Sequence, residues 1–149
     1  MTASSTLGFS GPTVCRLTGV TYRQLDYWAR TGLVTPSITS ATGSGSKRVY
    51  SYNDVLEVKV IKSLLAAGVS LARARQAVEC LREGLGENVA AATLVIGDSG
   101  TVLADVDGLV DLLRGGQGVF NIISMGNVVA ELTATLAEHS TSGREIASA

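Results

Sequence analysis

Four side chains close together in the chain, Arg23, Gln24, Tyr27 and Arg30, are of the types that recognise nucleic acid. Arginine can pair bidentately with guanine and glutamine with adenine, while hydroxyls of tyrosine, threonine and serine bind phosphate oxygens. All four lie in the stretch Gly19–Val34, GVTYRQLDYWARTGLV. Within it Leu25, Trp28 and Ala29 recur at i, i+3 and i+4, so one helical face packs inward and the opposite one carries the long donors and rings. Thr21 and Gln24 hold the spacing of a capping box. Gly32 supplies the left-handed turn that ends the helix. The stretch reads as the second helix of a helix-turn-helix.

A first helix must support it. Gly11-Pro12 opens that helix, with Val14, Cys15 and Leu17 as a short apolar face, and Gly19 stops it. Beyond Pro36 the chain changes character. Ser37–Thr39 is predicted to be extended, Ser40–Lys47 (SATGSGSK) is a flexible tip, and Arg48-Val49-Tyr50 is a second short strand. That pattern is a wing-type hairpin with Ser44, Ser46, Lys47 and Arg48 at its outer end. Ser51-Tyr-Asn-Asp54 caps a third helix, to about Ala67, and Ser70 caps a fourth, to about Glu83. Arg73 and Arg75 near the start of the fourth are expected as solvated surface charges.

After Gly84-Leu-Gly86 the pattern alters again. Thr93–Ile96 and Thr101–Ala104 flank Gly-Asp-Ser-Gly as a hairpin, Asp105 or Asp107 caps a helix, and Val119–Ile123 is rich in strand formers. Ser124 caps a last helix with an apolar stripe of Met125, Val128, Val129, Leu132 and Leu136. This ββαβα unit is too small to bury its faces comfortably alone. The stripe is the expected dimerisation surface, its alternative being burial inside its own domain.

The net charge of −1 conceals a split, for Met1–Glu83 carries ten Lys/Arg against five acids and the remainder two against eight. A basic front half fits a polyanion, and an acidic back half stays away from it. With 46% apolar residues and a mean hydropathy of +0.30, disorder is confined to the ends. No catalytic constellation is present, because His139, the one histidine, lies in the tail. Cys15 and Cys80 have no partner at metal-ligand spacing and are expected as buried free thiols in a reducing cytosol. The Gly115–Gly118 run (GGQG) lacks the phosphate-loop pattern, and the aspartates from Asp98 to Asp111 do not space as a calcium loop. No metal, cofactor or enzymatic activity is therefore expected. The start of the chain has no signal-peptide pattern, and the most apolar run, Val89–Ile96, is far too short to span a membrane.

The order helix, helix, wing, helix, helix resembles the MerR family of bacterial transcription regulators from Phe9 to about Leu81. The residues that carry the likeness are GVTYRQLDYWARTGLV (Gly19–Val34), KRVYSYNDV (Lys47–Val55) and LLAAGVSLARAR (Leu64–Arg75). With DLLRGGQGVF (Asp111–Phe120) added, the whole chain looks most like the actinobacterial FtsR-type branch. Taken with the residue pattern, this gives an α+β fold, a MerR-like winged helix-turn-helix implied by the resemblance followed by the small ββαβα unit read from the sequence. The domain reading is a flexible 1–10, a DNA-binding domain over 11–83, a dimerisation or partner domain over 84–139 and a disordered 140–149. The resemblance further implies a cytoplasmic, nucleoid-associated homodimer on a pseudo-palindromic double-stranded DNA operator, RNA polymerase as a further partner, and control of cell-division genes. An effector-sensing switch, with a small ligand in the C-terminal unit, is the alternative.

Carried over by position, Thr13, Thr21, Tyr22, Arg23, Gln24, Tyr27, Ser44, Ser46, Lys47, Arg48 and Tyr50 would contact DNA. Two departures stand out. Typical members have Arg-Tyr-Tyr-Glu where this chain has Asp26-Tyr27-Trp28-Ala29, and the acid is expected to turn from phosphate toward Arg30 or Arg23. The long dimerisation helix of typical members is also replaced by the ββαβα unit.

Overall fold

A computed structural model describes residues 8–38, 48–84, 92–97, 100–104 and 119–148. The chain divides into two compact units, Met1–Lys59 with Leu132–Ala149, and Val60–Glu131. The elements are β1 (Phe9–Ser10), α1 (Gly11–Thr18), α2 (Tyr22–Arg30), β2 (Val49–Tyr50), α3 (Tyr52–Ala66), α4 (Leu71–Gly84), β3 (Thr93–Gly97), β4 (Gly100–Ala104), β5 (Val119–Ser124) and α5 (Met125–Ser148).

In the first unit, local chemistry sets both ends of the two short helices. Ser10 caps α1 by accepting the Thr13 N–H at 3.4 Å. Gly19, at φ 83°, closes α1 by donating its N–H to the Cys15 carbonyl at 2.8 Å. After α2, Gly32 takes φ 80° and lets the chain turn back, so that the N–H groups of Leu33 and Val34 donate to the Trp28 carbonyl at 2.9 and 3.3 Å. Leu25, Trp28, Leu33 and Val34 are thereby buried beside Val14, Leu17 and Val20. Side chains of this kind contribute roughly 1.5–3 kcal/mol each when fully buried.

β2 has a strand partner that the sequence reading did not assign. Val49–Tyr50 runs antiparallel to Phe9–Ser10, with Phe9 opposite Tyr50 and Ser10 opposite Val49. The Ser37–Ile38 segment also approaches β2, as the wing pattern predicts, with the Ile38 N–H donating to the Val49 carbonyl at 3.2 Å. Beside it Ser37 is anchored, its N–H and hydroxyl both donating to Asp54 Oδ2, at 2.8 and 2.7 Å. Residues 8–10 are therefore not a flexible terminus: Phe9 is buried and β1 is part of the domain. The expected wing tip, including Ser44, Ser46 and Lys47, lies outside the described residues.

The second unit holds the strands expected from the back half. They form one antiparallel sheet in the order β4-β3-β5. Thr93 faces Ala104 and Gly97 faces Gly100, as a tight hairpin requires. The partnership with β5 carries a bulge between Ile96 and Gly97. Leu94, Val95 and Ile96 are buried in succession, as befits the central strand, and α4 packs against β3 and β4 with Ala74, Ala77, Val78 and Leu81 inside. Arg73 is not simply solvated, since its Nη1 donates to the Gly97 carbonyl at 3.2 Å. The middle helix of the expected ββαβα order falls outside the described residues.

α5 departs from expectation at its C-terminal end. It runs to Ser148 rather than giving way to a disordered tail after His139. Once nucleated, a helix lengthens at one hydrogen bond per residue, and the segment from Ser140 contains no proline to stop it. Within the apolar stripe, Met125, Val128 and Leu132 are buried in the single chain, which is the alternative reading of that stripe. Val129 and Leu136 are half-buried. Neither Cys15 nor Cys80 is in a disulfide and both are half-buried, with burial pushing the Cys15 thiol up from its ordinary value. Among the described residues, no helix is long and apolar enough to cross a membrane.

Candidate nucleic-acid interface

α2 begins with a complete capping box. Thr21 Oγ1 accepts the Gln24 N–H at 3.0 Å, and Gln24 Oε1 accepts the Thr21 N–H at 3.1 Å. With its first turn fixed, the helix presents an exposed row of Tyr22, Arg23, Gln24 and Tyr27 opposite the buried Leu25 and Trp28. Tyr22 is 58% and Tyr27 48% exposed. Arg23 and Tyr27, four residues apart, stand one above the other on the helix surface.

Close approach of α1 to α2 brings further groups to this face. Gly11 lies against the Tyr22 ring so tightly that a Cβ there would meet Tyr22 Cε1 at 3.1 Å. A cavity of ≈ 380 Å³ opens beside it, with Ser10, Tyr22, Asp26, Arg48 and Tyr50 among its walls. Thr13, expected as a DNA contact, is half-buried and its hydroxyl accepts from Ser10 Oγ at 3.0 Å.

Charge on this face is organised by Asp26. Its Oδ2 accepts from Arg30 Nε at 2.9 Å, one helical turn on, and its Oδ1 from Arg48 Nη1 at 2.7 Å, across from α2 to the start of β2. The spacing to Arg30 is legible in the sequence; the partner 22 residues away is not. The hydrogen bond from Arg48, followed by that from Arg30, holds the Asp26 carboxyl below its ordinary value of 3.8. The Arg30 guanidinium carbon also sits 6.0 Å from the centre of the Tyr27 ring, at the outer range of a cation–π contact.

Tyr50 departs from expectation. It is fully buried, its hydroxyl finds no hydrogen-bond partner among the described residues, and burial pushes its pKa up to about 12. Its ring belongs to the core. Sequence reasoning also undervalued Asp54. The cap spacing from Ser51 was readable, but the same carboxylate reaches 17 residues back to Ser37 and so anchors the base of the expected wing. Among the described residues, no group of three His, Cys, Asp or Glu could hold a metal ion.

Comparison with known proteins places this geometry in context. Residues 9–80 match the model of the MerR HTH family regulatory proteins. The chain is 49% identical over 134 residues to an uncharacterized HTH-type transcriptional regulator of Mycobacterium bovis, covering 89% of this chain and 59% of that relative. Two HTH-type transcriptional regulators from Mycobacterium tuberculosis strains match with the same identity and coverage. The chain thus spans under two thirds of the length of the curated relatives it matches.

Proposed function

From the premise that residues 9–80 form a MerR-family helix-turn-helix domain, we propose that the chain is a sequence-specific double-stranded DNA-binding transcription regulator acting as a cytoplasmic homodimer. The observation that carries this reading is the capped N-terminal half of α2, with Tyr22, Arg23, Gln24 and Tyr27 exposed together and Arg48 beside them. In this reading Arg23 meets a base edge, Tyr22 and Tyr27 meet the backbone, and the helix lies in the major groove. The FtsR-type likeness extends the proposal to cell-division genes, with RNA polymerase as a further partner. Half-buried Val129 and Leu136 on α5 support a second copy packing there.

Selection of bound sites from random DNA at near-physiological salt tests the proposal. The selected sites should be pseudo-palindromes with half-sites one or two turns apart, about 34 Å per turn. Affinity should fall with salt on a log–log slope of roughly −0.9 for each phosphate neutralised. Failure to enrich any sequence, together with a flat salt profile, would overturn it.

A further inference from the structure

We propose that Asp26 is a specificity-determining residue, which pins Arg48 to the recognition helix so that backbone contact and base contact are made in one register. The inference rests on the DNA-binding reading above and concerns the same face. Its warrant is the two-sided use of one carboxylate: Oδ1 takes Arg48 Nη1 at 2.7 Å and Oδ2 takes Arg30 Nε at 2.9 Å.

With both oxygens accepting guanidinium donors, Asp26 is poorly placed to accept from a cytosine amino group, which is what an acid on such a helix would otherwise read. What it does control is Arg48. An arginine on a flexible stem follows whichever phosphate is nearest, and such contacts carry no sequence information. Tied to α2, and only 21% exposed, the Arg48 side chain can meet a phosphate at one position relative to Arg23 and Tyr27. Backbone binding then becomes favourable chiefly where the base contacts of α2 are also satisfied. Asp26 also removes one net charge from a cluster that holds two arginines, which lowers attraction to DNA of any sequence.

The test compares the full chain with Asp26→Asn on a selected site and on a random-sequence duplex over a range of salt concentrations. Asp26→Asn should bind random duplex about 5–10-fold more tightly near 0.1 M salt, with the log–log slope steeper by about one. The ratio of specific to random binding should fall by at least that factor. Asp26→Glu keeps the charge and should retain most of the ratio. In an Arg48→Gln background the gain from Asp26→Asn should shrink to a minor remainder, as coupled residues require. Unchanged random binding would overturn the inference, as would a parallel loss on both duplexes or an undiminished gain without Arg48. Should the wild-type chain bind no duplex, the DNA-binding reading itself fails; should it bind while the ratio stays put in Asp26→Asn, this inference alone fails.

Discussion

Asp54→Ala removes a carboxylate that gathers three hydrogen bonds on one oxygen. The Asp54 carboxylate is 6% exposed, and its Oδ2 alone accepts from the Ser37 N–H, the Ser37 hydroxyl and the Ser51 N–H, at 2.8, 2.7 and 2.9 Å. Hydrogen bonds to a charged group contribute about 1.5–3 kcal/mol each, and stranded donors add desolvation cost. Ser37 is exposed, so water can recover part of its share. The Ser51 bond also belongs to the N-terminal cap of α3, where Ser51 Oγ accepts the Asp54 N–H at 3.1 Å. Together these place the cost of Asp54→Ala at about 3 kcal/mol. In urea denaturation the midpoint should drop with an unchanged slope, and the melting temperature should fall by roughly 6–12 °C for a chain of this length. Asp54→Asn keeps one carbonyl acceptor and should lose about half as much. A loss below about 1 kcal/mol in Asp54→Ala would show that water replaces the carboxylate without penalty, and would refute the anchoring role.

Two further outcomes are expected. Arg23→Ala should weaken binding to a selected DNA site by about 1–3 kcal/mol and relax preference at one base position, measured by competition among single-base variants of the site; a uniform loss across all variants would make Arg23 a backbone contact. The Asp26 carboxyl, held low by Arg48 and then Arg30, should titrate below 3.8 when followed by carboxyl NMR. A depressed folded-state pKa contributes stability above the unfolded value that is lost as pH falls through the folded one, so the Asp26–Arg48 pair should persist from neutral pH to about pH 4 and open only in stronger acid. A midpoint at or above 3.8 would contradict the paired geometry.

What could be read directly from the chain was local. The Thr21–Gln24 box, the stops at Gly19 and Gly32 and the hairpin between Thr93 and Ala104 all appear where the residue spacing places them. Each depends on partners a few residues apart, or on a period that survives in one dimension. The pairing of Phe9–Ser10 with Val49–Tyr50, the reach of Asp54 to Ser37 and that of Asp26 to Arg48 have no such trace. They exist only because the helix-turn-helix core brings distant segments together. Tyr50 shows the converse, where resemblance to a family suggested a contact with DNA and packing assigned the ring to the core. The apolar stripe of α5 was equally ambiguous in one dimension, because periodicity marks a buried face without saying what buries it.

The capping box at the start of α2 also sets the chemical grammar of Gln24. Its carbonyl oxygen is occupied by the Thr21 N–H at 3.1 Å, so the amide offers its NH2 outward and keeps its acceptor turned home. Glutamine singles out adenine by giving and receiving at once, and that two-way exchange is closed to a side chain in this state. An outward NH2 alone is satisfied by guanine N7 or O6, thymine O4, adenine N7 or a phosphate oxygen, and is refused by the cytosine amino group. The base opposite Gln24 in a preferred site should accordingly be defined by what it excludes.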